Sequence, residues 1–155
     1  MRDIDAYWQD GLPNIEGWVN ERWLPYLKLI DDTQNILGVK GQIAEIGVYH
    51  GKLLIALAHF ARPGGKVTAI DVFDDQTRNI DGAGVGSLEH LKANIQSYGP
   101  DYEIDYSFRK IDSTALNCAD RVALVRDNGP FRLFSVDGCH TAEHTLSDLL
   151  TAQDC

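Results

Sequence analysis

The stretch Ile43–Asp71, IAEIGVYHGKLLIALAHFARPGGKVTAID, decides the fold. It opens with a short apolar run, Ile43–Ile46, that carries one acid, Glu45, and then passes a glycine pair, Gly47 and Gly51. An apolar helix-like segment, Lys52–Ala61, follows. Pro63-Gly64-Gly65 turns the chain, and Lys66–Ile70 reads as a second strand ending at Asp71. Strand, glycine loop, helix, strand and terminal acid together form a unit that binds a nucleoside-containing cofactor. Small residues let the backbone approach, the helix N-terminus offers free N–H groups, and the acid accepts from ribose hydroxyls.

Spacing narrows the cofactor. A dinucleotide fingerprint is G-x-G-x-x-G, whereas this loop is Glu45-x-Gly47-x-x-x-Gly51, with Val48 in the middle glycine's place. That glycine lets a pyrophosphate touch the backbone, so its loss argues for a cofactor without one. On these residues the chain resembles the class I S-adenosylmethionine-dependent methyltransferases. Their first motif is an acid with spaced glycines, followed by an acid closing the second strand. Asp71 stands 24 residues after Gly47, close to the roughly 20 of a ribose-binding acid. The resemblance implies S-adenosylmethionine held by Glu45, Gly47, Tyr49, Gly51, Asp71 and Val72.

The 155 residues suffice for one domain with a sizeable core. A net charge of −9 disfavours nucleic acid or an anionic membrane as the main partner. Cys118, Cys139 and Cys155 form no C-x-x-C pair and are odd in number. With no signal-like N-terminus and no apolar run of roughly 20 residues, the expectation is a cytoplasmic chain.

Residues 1–40 read as an N-terminal helical cap or lid, and 41–155 as the cofactor-binding domain. Met1–Asn14 is expected to be partly extended. Apolar residues at helical spacing from Ile15 to Leu37 predict a helix pair, with Asn14 as N-cap and Pro25 as a kink or divide. It either simply covers the sheet or closes Tyr7, Trp8 or Trp18 over a ligand. The long connection Val72–Gly86 is either functional or mobile. Its acids Asp74, Asp75 and Asp81 are a metal cluster or a solvated turn.

Ser87 caps a predicted helix to about Tyr98, and Glu103–Ile111 is the third strand, ending at Asp112-Ser113. The resemblance puts Asp112 or Ser113 near the adenine, while either one also suits the cap of a helix over Thr114–Asp127. A fourth strand, Phe131–Val136, leads to Asp137-Gly138-Cys139-His140 and a helix through Leu146, Leu149 and Leu150. This alternation predicts an α/β fold, a Rossmann-like doubly wound three-layer sandwich with a mainly parallel sheet. Glu45, Asp71, Asp112 and Asp137 then converge on one rim, beyond the strands' carboxyl ends.

Asp137 and His140 pair a carboxylate with an imidazole able to take a proton at neutral pH. A carboxylate can also hold Mg²⁺ to acidify a hydroxyl. The motif resembles the subgroup of macrocin-type sugar O-methyltransferases and cephalosporin-hydroxylase-like proteins. That resemblance makes Asp137 the metal ligand and His140 the general base, acting on a small hydroxylated substrate. His144, four residues on, leaves a D-x-x-H-x-x-x-H metal site conceivable, with a plain helix-face histidine the alternative.

The family fold continues past this point with three more strands, and the subgroup has two further carboxylates at the end of the next. The resemblance therefore implies a chain truncated near Cys155, lacking its last strands. Otherwise an exposed fourth strand is covered by another copy, which predicts a homo-oligomer. Two other functional classes stay open: a nicotinamide-dependent oxidoreductase of related fold, and a cofactor-binding or assembly module without chemistry.

Overall fold

A computed structural model describes residues 3–80 and 82–155. Four strands, β1 (Gln42–Ile46), β2 (Lys66–Asp71), β3 (Asp105–Lys110) and β4 (Phe131–Val136), form an all-parallel sheet in the order β3-β2-β1-β4. Ile43 pairs with Val67 on one side and Leu133 on the other, and Ile46 with Ile70 and Val136. The helices are α1 (Ile4–Ala6), α2 (Leu24–Ile36), α3 (Lys52–Ala58), α4 (Leu88–Tyr98), α5 (Cys118–Asn128) and α6 (Ala142–Asp154).

Alternate strand residues feed two cores, because successive side chains leave opposite faces of a strand. Ile43, Val67 and Ala69 meet Leu54, Leu57 and Ala58 of α3 and Leu91 of α4 on one face. Ile46 and Ile70 meet Leu116 and Leu124 on the other, with Phe134 and Cys155 packed alongside. Helices thus cover both faces, as the reading of a doubly wound sandwich requires. β1 and β2 are buried along nearly their whole length, whereas every residue of β4, an edge strand of this sheet, is partly exposed. The winding direction reverses between β1 and β4, so the crevice beyond their carboxyl ends is the expected ligand position.

The N-terminal segment differs from the expectation. Residues expected to be extended form short helical turns: α1, a π turn Tyr7–Gly11 and a 3₁₀ turn Leu12–Asn14. The stretch read as helical from Ile15 leaves the helix there and resumes it only at Glu21. The apolar spacing arises because Tyr7, Leu12 and Ile15 pack, with Val19, on Ile55 and Ala56 of α3. Gly17, at φ +135°, sustains the crossing. Pro25 sits in the first turn of α2 and starts the helix rather than kinking it, since a first-turn residue needs no intrahelical N–H bond. α5 begins at Cys118, later than expected, because Asp112 caps a separate 3₁₀ turn, Ser113–Ala115, and Asn117 with Asp120 forms the capping box.

Candidate functional site

The loop after β1 is built around backbone that ordinary residues avoid. Gly47 has φ +80°, and a Cβ there would overlap the Asp137 carbonyl, so only glycine lets the loops after β1 and β4 meet. Tyr49 and Phe73 are non-glycine residues at φ +51° and +49°. Such conformations persist only where surrounding contacts hold them. Asp71 supplies those contacts for both. Its Oδ2 accepts from the Val48 and Tyr49 amides at 2.6 and 2.9 Å, and its Oδ1 from the Phe73 amide at 2.6 Å. The acid read as a ribose acceptor is thus also the brace of the glycine loop. Gly51, at φ +87°, precedes α3, where a side chain would strike Leu91.

Above this brace opens a cavity of about 500 Å³. Gly47, Tyr49, Asp71 and Val72 line it together with Asp112 and Ser113 and with Asp137 and His140. Two residues of the expected cofactor set, Glu45 and Gly51, are not in its wall. Glu45 is 1% exposed and lies beneath the loop. Its Oε1 accepts from the Ser135 hydroxyl at 3.1 Å, while Oε2 has no partner among the described residues. Burial pushes this carboxyl well above its usual range; the Ser135 bond opposes the shift, and Asp137 and Asp71 add to it.

The Val72–Gly86 loop forms a wall through Arg78, Asn79, Ile80 and Gly84, none of which the sequence singled out. Only the loop's length signalled a role. Asp74 pairs with Lys110 at 2.8 Å and Asp75 with Arg78 at 3.2 Å, so these two acids bind neighbouring cations; Asp81 lies outside the described residues.

Of the three aromatic lid candidates, Trp18 alone lines the cavity. It is 72% exposed, with its ring 5.5 Å from that of Tyr49. The same strap is tied down by the Tyr49 hydroxyl donating to Glu16 at 2.9 Å and Lys52 Nζ donating to the Gly17 carbonyl at 3.1 Å. Tyr7 is buried instead, its hydroxyl donating to the Lys52 carbonyl at 2.6 Å, and the Trp8 indole donates to the Glu21 carbonyl at 2.9 Å. His50 stacks on Tyr49 and stands 3.5 Å from Glu16. Burial lowers its pKa, with His90 adding to the shift and Glu16 opposing it.

In the same lining, His140 Nε2 lies 3.7 Å from Asp137 Oδ1, both side chains more than half exposed. His144 also borders the cavity, its Nδ1 within 2.5 Å of the Thr141 hydroxyl that caps α6. Asp112 Oδ1 accepts from the Thr114 amide and hydroxyl at 3.0 and 2.7 Å, so its capping role is present alongside its place in the wall. Among the described residues, no three His, Cys, Asp or Glu side chains gather closely enough to hold a metal ion. One carboxylate beside an imidazole is too sparse a set for a hard cation that asks for about six oxygen donors.

The family model described as a methyltransferase domain matches residues 44–155, most of the chain and all of this site except the Trp18 strap. The chain belongs to that methyltransferase-domain family. A comparison with curated proteins finds no match. Membership makes methyl transfer the reaction class, with S-adenosylmethionine the usual donor of such domains, and selects it over the nicotinamide reading. Among the described residues of this methyltransferase domain, no helix is long and apolar enough to cross a membrane.

Proposed function

We propose that this methyltransferase domain binds S-adenosylmethionine in the rim cavity and methylates a hydroxyl of a small molecule. A sugar of the kind handled by the macrocin-type subgroup is one such acceptor. The observation that carries the reading is the continuity of one cavity from the Asp71-braced loop to the Asp137–His140 pair. Asp71 spends three lone-pair directions on backbone amides and retains capacity for a ribose hydroxyl, because an ionised carboxylate accepts about four bonds. Val72 and Ile111 offer apolar surface to a purine, with Asp112 and Ser113 near its edge. The Val48 amide, which a pyrophosphate would need, is already taken by Asp71.

When bound, the cofactor supplies an electrophilic methyl on a sulfonium. His140 would take the acceptor's hydroxyl proton as that oxygen bonds the methyl carbon and the carbon–sulfur bond breaks, a neutral thioether leaving, and Asp137 would stabilise the resulting imidazolium. Trp18 and the Val72–Gly86 wall limit the space left for the acceptor.

Calorimetric titration with S-adenosylmethionine, and with NADH in parallel, tests the cofactor. Saturable binding of the former that weakens in Asp71→Ala is the expected result. A folded chain that binds NADH alone would overturn the proposal.

A further inference from the structure

α6 is amphipathic in the opposite sense from a helix packed through its leucines. Leu146, Leu149 and Leu150 are 59%, 53% and 45% exposed, while Asp148 and Thr151, one turn apart on another face, are fully buried. Burying a carboxyl group is unfavourable unless hydrogen bonds replace water, so leucine would serve a purely structural contact better. Thr151 donates its hydroxyl to the Ser147 carbonyl at 3.1 Å. Asp148 has no such outlet: among the described residues, neither of its oxygens makes a hydrogen bond of normal geometry. Burial raises the pKa of this carboxyl. Ser113 and His144, which face it, draw the value back, and Asp112 adds to the rise.

The side chain points at the back of the cavity wall. A Cβ built on Gly138 would stand 2.8 Å from Asp148 Oδ2 and 3.1 Å from Ile46 Cγ2. Gly138 is thus the residue that admits the carboxyl, which explains a glycine at a position whose φ does not call for one. One turn earlier on α6, the Thr145 hydroxyl donates to the Cys139 carbonyl at 3.4 Å, so the helix grips the same turn twice. Ser113, the other neighbour, opens the turn after β3 and borders the cavity.

We infer that Asp148 is a positioning residue that, wedged between Gly138 and Ser113, sets the spacing of the Asp137–His140 turn against the loop after β3. Its consequence for ligand binding rests on the methyl-transfer reading, but its geometry does not. A neutral group of the same shape should do the same work, whereas a methyl group should let the two loops drift. A site whose supporting contacts are removed loses the placement on which its affinity depends.

The test compares Asp148→Asn with Asp148→Ala in the full chain. It follows the Gly138 and Ser113 amide resonances by NMR and titrates S-adenosylhomocysteine by calorimetry. Asp148→Ala should displace both resonances and weaken binding by roughly tenfold, the size of one lost polar contact, and Asp148→Asn should restore both. Unmoved Gly138 and Ser113 resonances in Asp148→Ala would overturn the inference, as would an Asn variant that drifts as far as Ala. Should Asp148→Ala fail to fold, the Asn variant decides alone: loops held in place support the inference, and displaced loops refute it. A wild-type chain that ignores S-adenosylhomocysteine while the resonances follow this pattern supports positioning and removes the methyl-transfer reading.

Discussion

The loops after β1 and β2 and the turn after β4 share one rim of the sheet, yet they are held in different ways. On the β1–β2 side the strands are buried on both faces, and a single carboxylate, Asp71, fixes three backbone amides around two left-handed residues. On the β4 side the strand is half-exposed, and Asp137 and His140 reach into solvent. The first arrangement suits a group that must be gripped the same way in every turnover. On the proposed reading, the second suits a group that meets an incoming acceptor and changes its protonation state. Preorganised backbone gives precise placement, and exposed side chains stay in contact with water.

Separate substitutions can break that contrast. The largest effect is expected from His140→Ala: on the proposed reading it removes the general base and slows methyl transfer by about 10²–10⁴-fold, while calorimetric affinity for S-adenosylmethionine is kept. A His140→Ala protein with unchanged transfer to an accepted hydroxyl substrate would show that the β4 turn is not the reacting end. Gly47→Val joins a forbidden φ to a collision with the Asp137 carbonyl. It should lower unfolding free energy by roughly 3 kcal/mol or more, read by thermal denaturation; a parental melting temperature would mean the two loops are not in contact.

Asp71→Ala comes next, with three backbone donors left to water and a loss of about 2 kcal/mol. Its amide exchange should quicken at Val48, Tyr49 and Phe73 and not at the β4 turn. Equal quickening on both sides would erase the distinction between them.

The smallest effect belongs to Glu45, whose carboxyl is held above its usual 4.5 in the folded chain. The folded state keeps a proton that the unfolded chain releases, so stability is full below pH 4.5 and declines as pH rises through the folded value. Glu45→Gln should flatten that decline without lowering stability at neutral pH. A steeper decline in the variant would contradict the raised carboxyl.

Several parts of this molecule were legible because local chemistry left one choice. The apolar runs of β1 and β2, the turn at Pro63–Gly65 and the Ser87 cap of α4 lie where the sequence puts them. Other parts misread for physical reasons. Ile15 and Val19 have helical spacing, yet they serve a strap that packs on α3, since burial rewards any conformation that hides apolar surface. The leucines of α6 draw the eye, but its buried residues are Asp148 and Thr151. Their polar identity hides them from any search for hydrophobic period.

By itself the sequence determined the order of strands and helices, the glycine loop and the acids that end the strands. Periodicity, caps and turn residues act over a few positions, so they can be read along the chain. The tertiary structure alone decided what those acids do. Asp71 became a brace because Val48, Tyr49 and Phe73 turn their amides toward it, and Glu45 sank beneath the loop because β1 lies at the sheet's centre. Asp148 came to face Gly138 across 10 residues of sequence only because α6 folds back on β4. A carboxyl group's role depends on which donors surround it, and that is set by packing between elements distant in the chain.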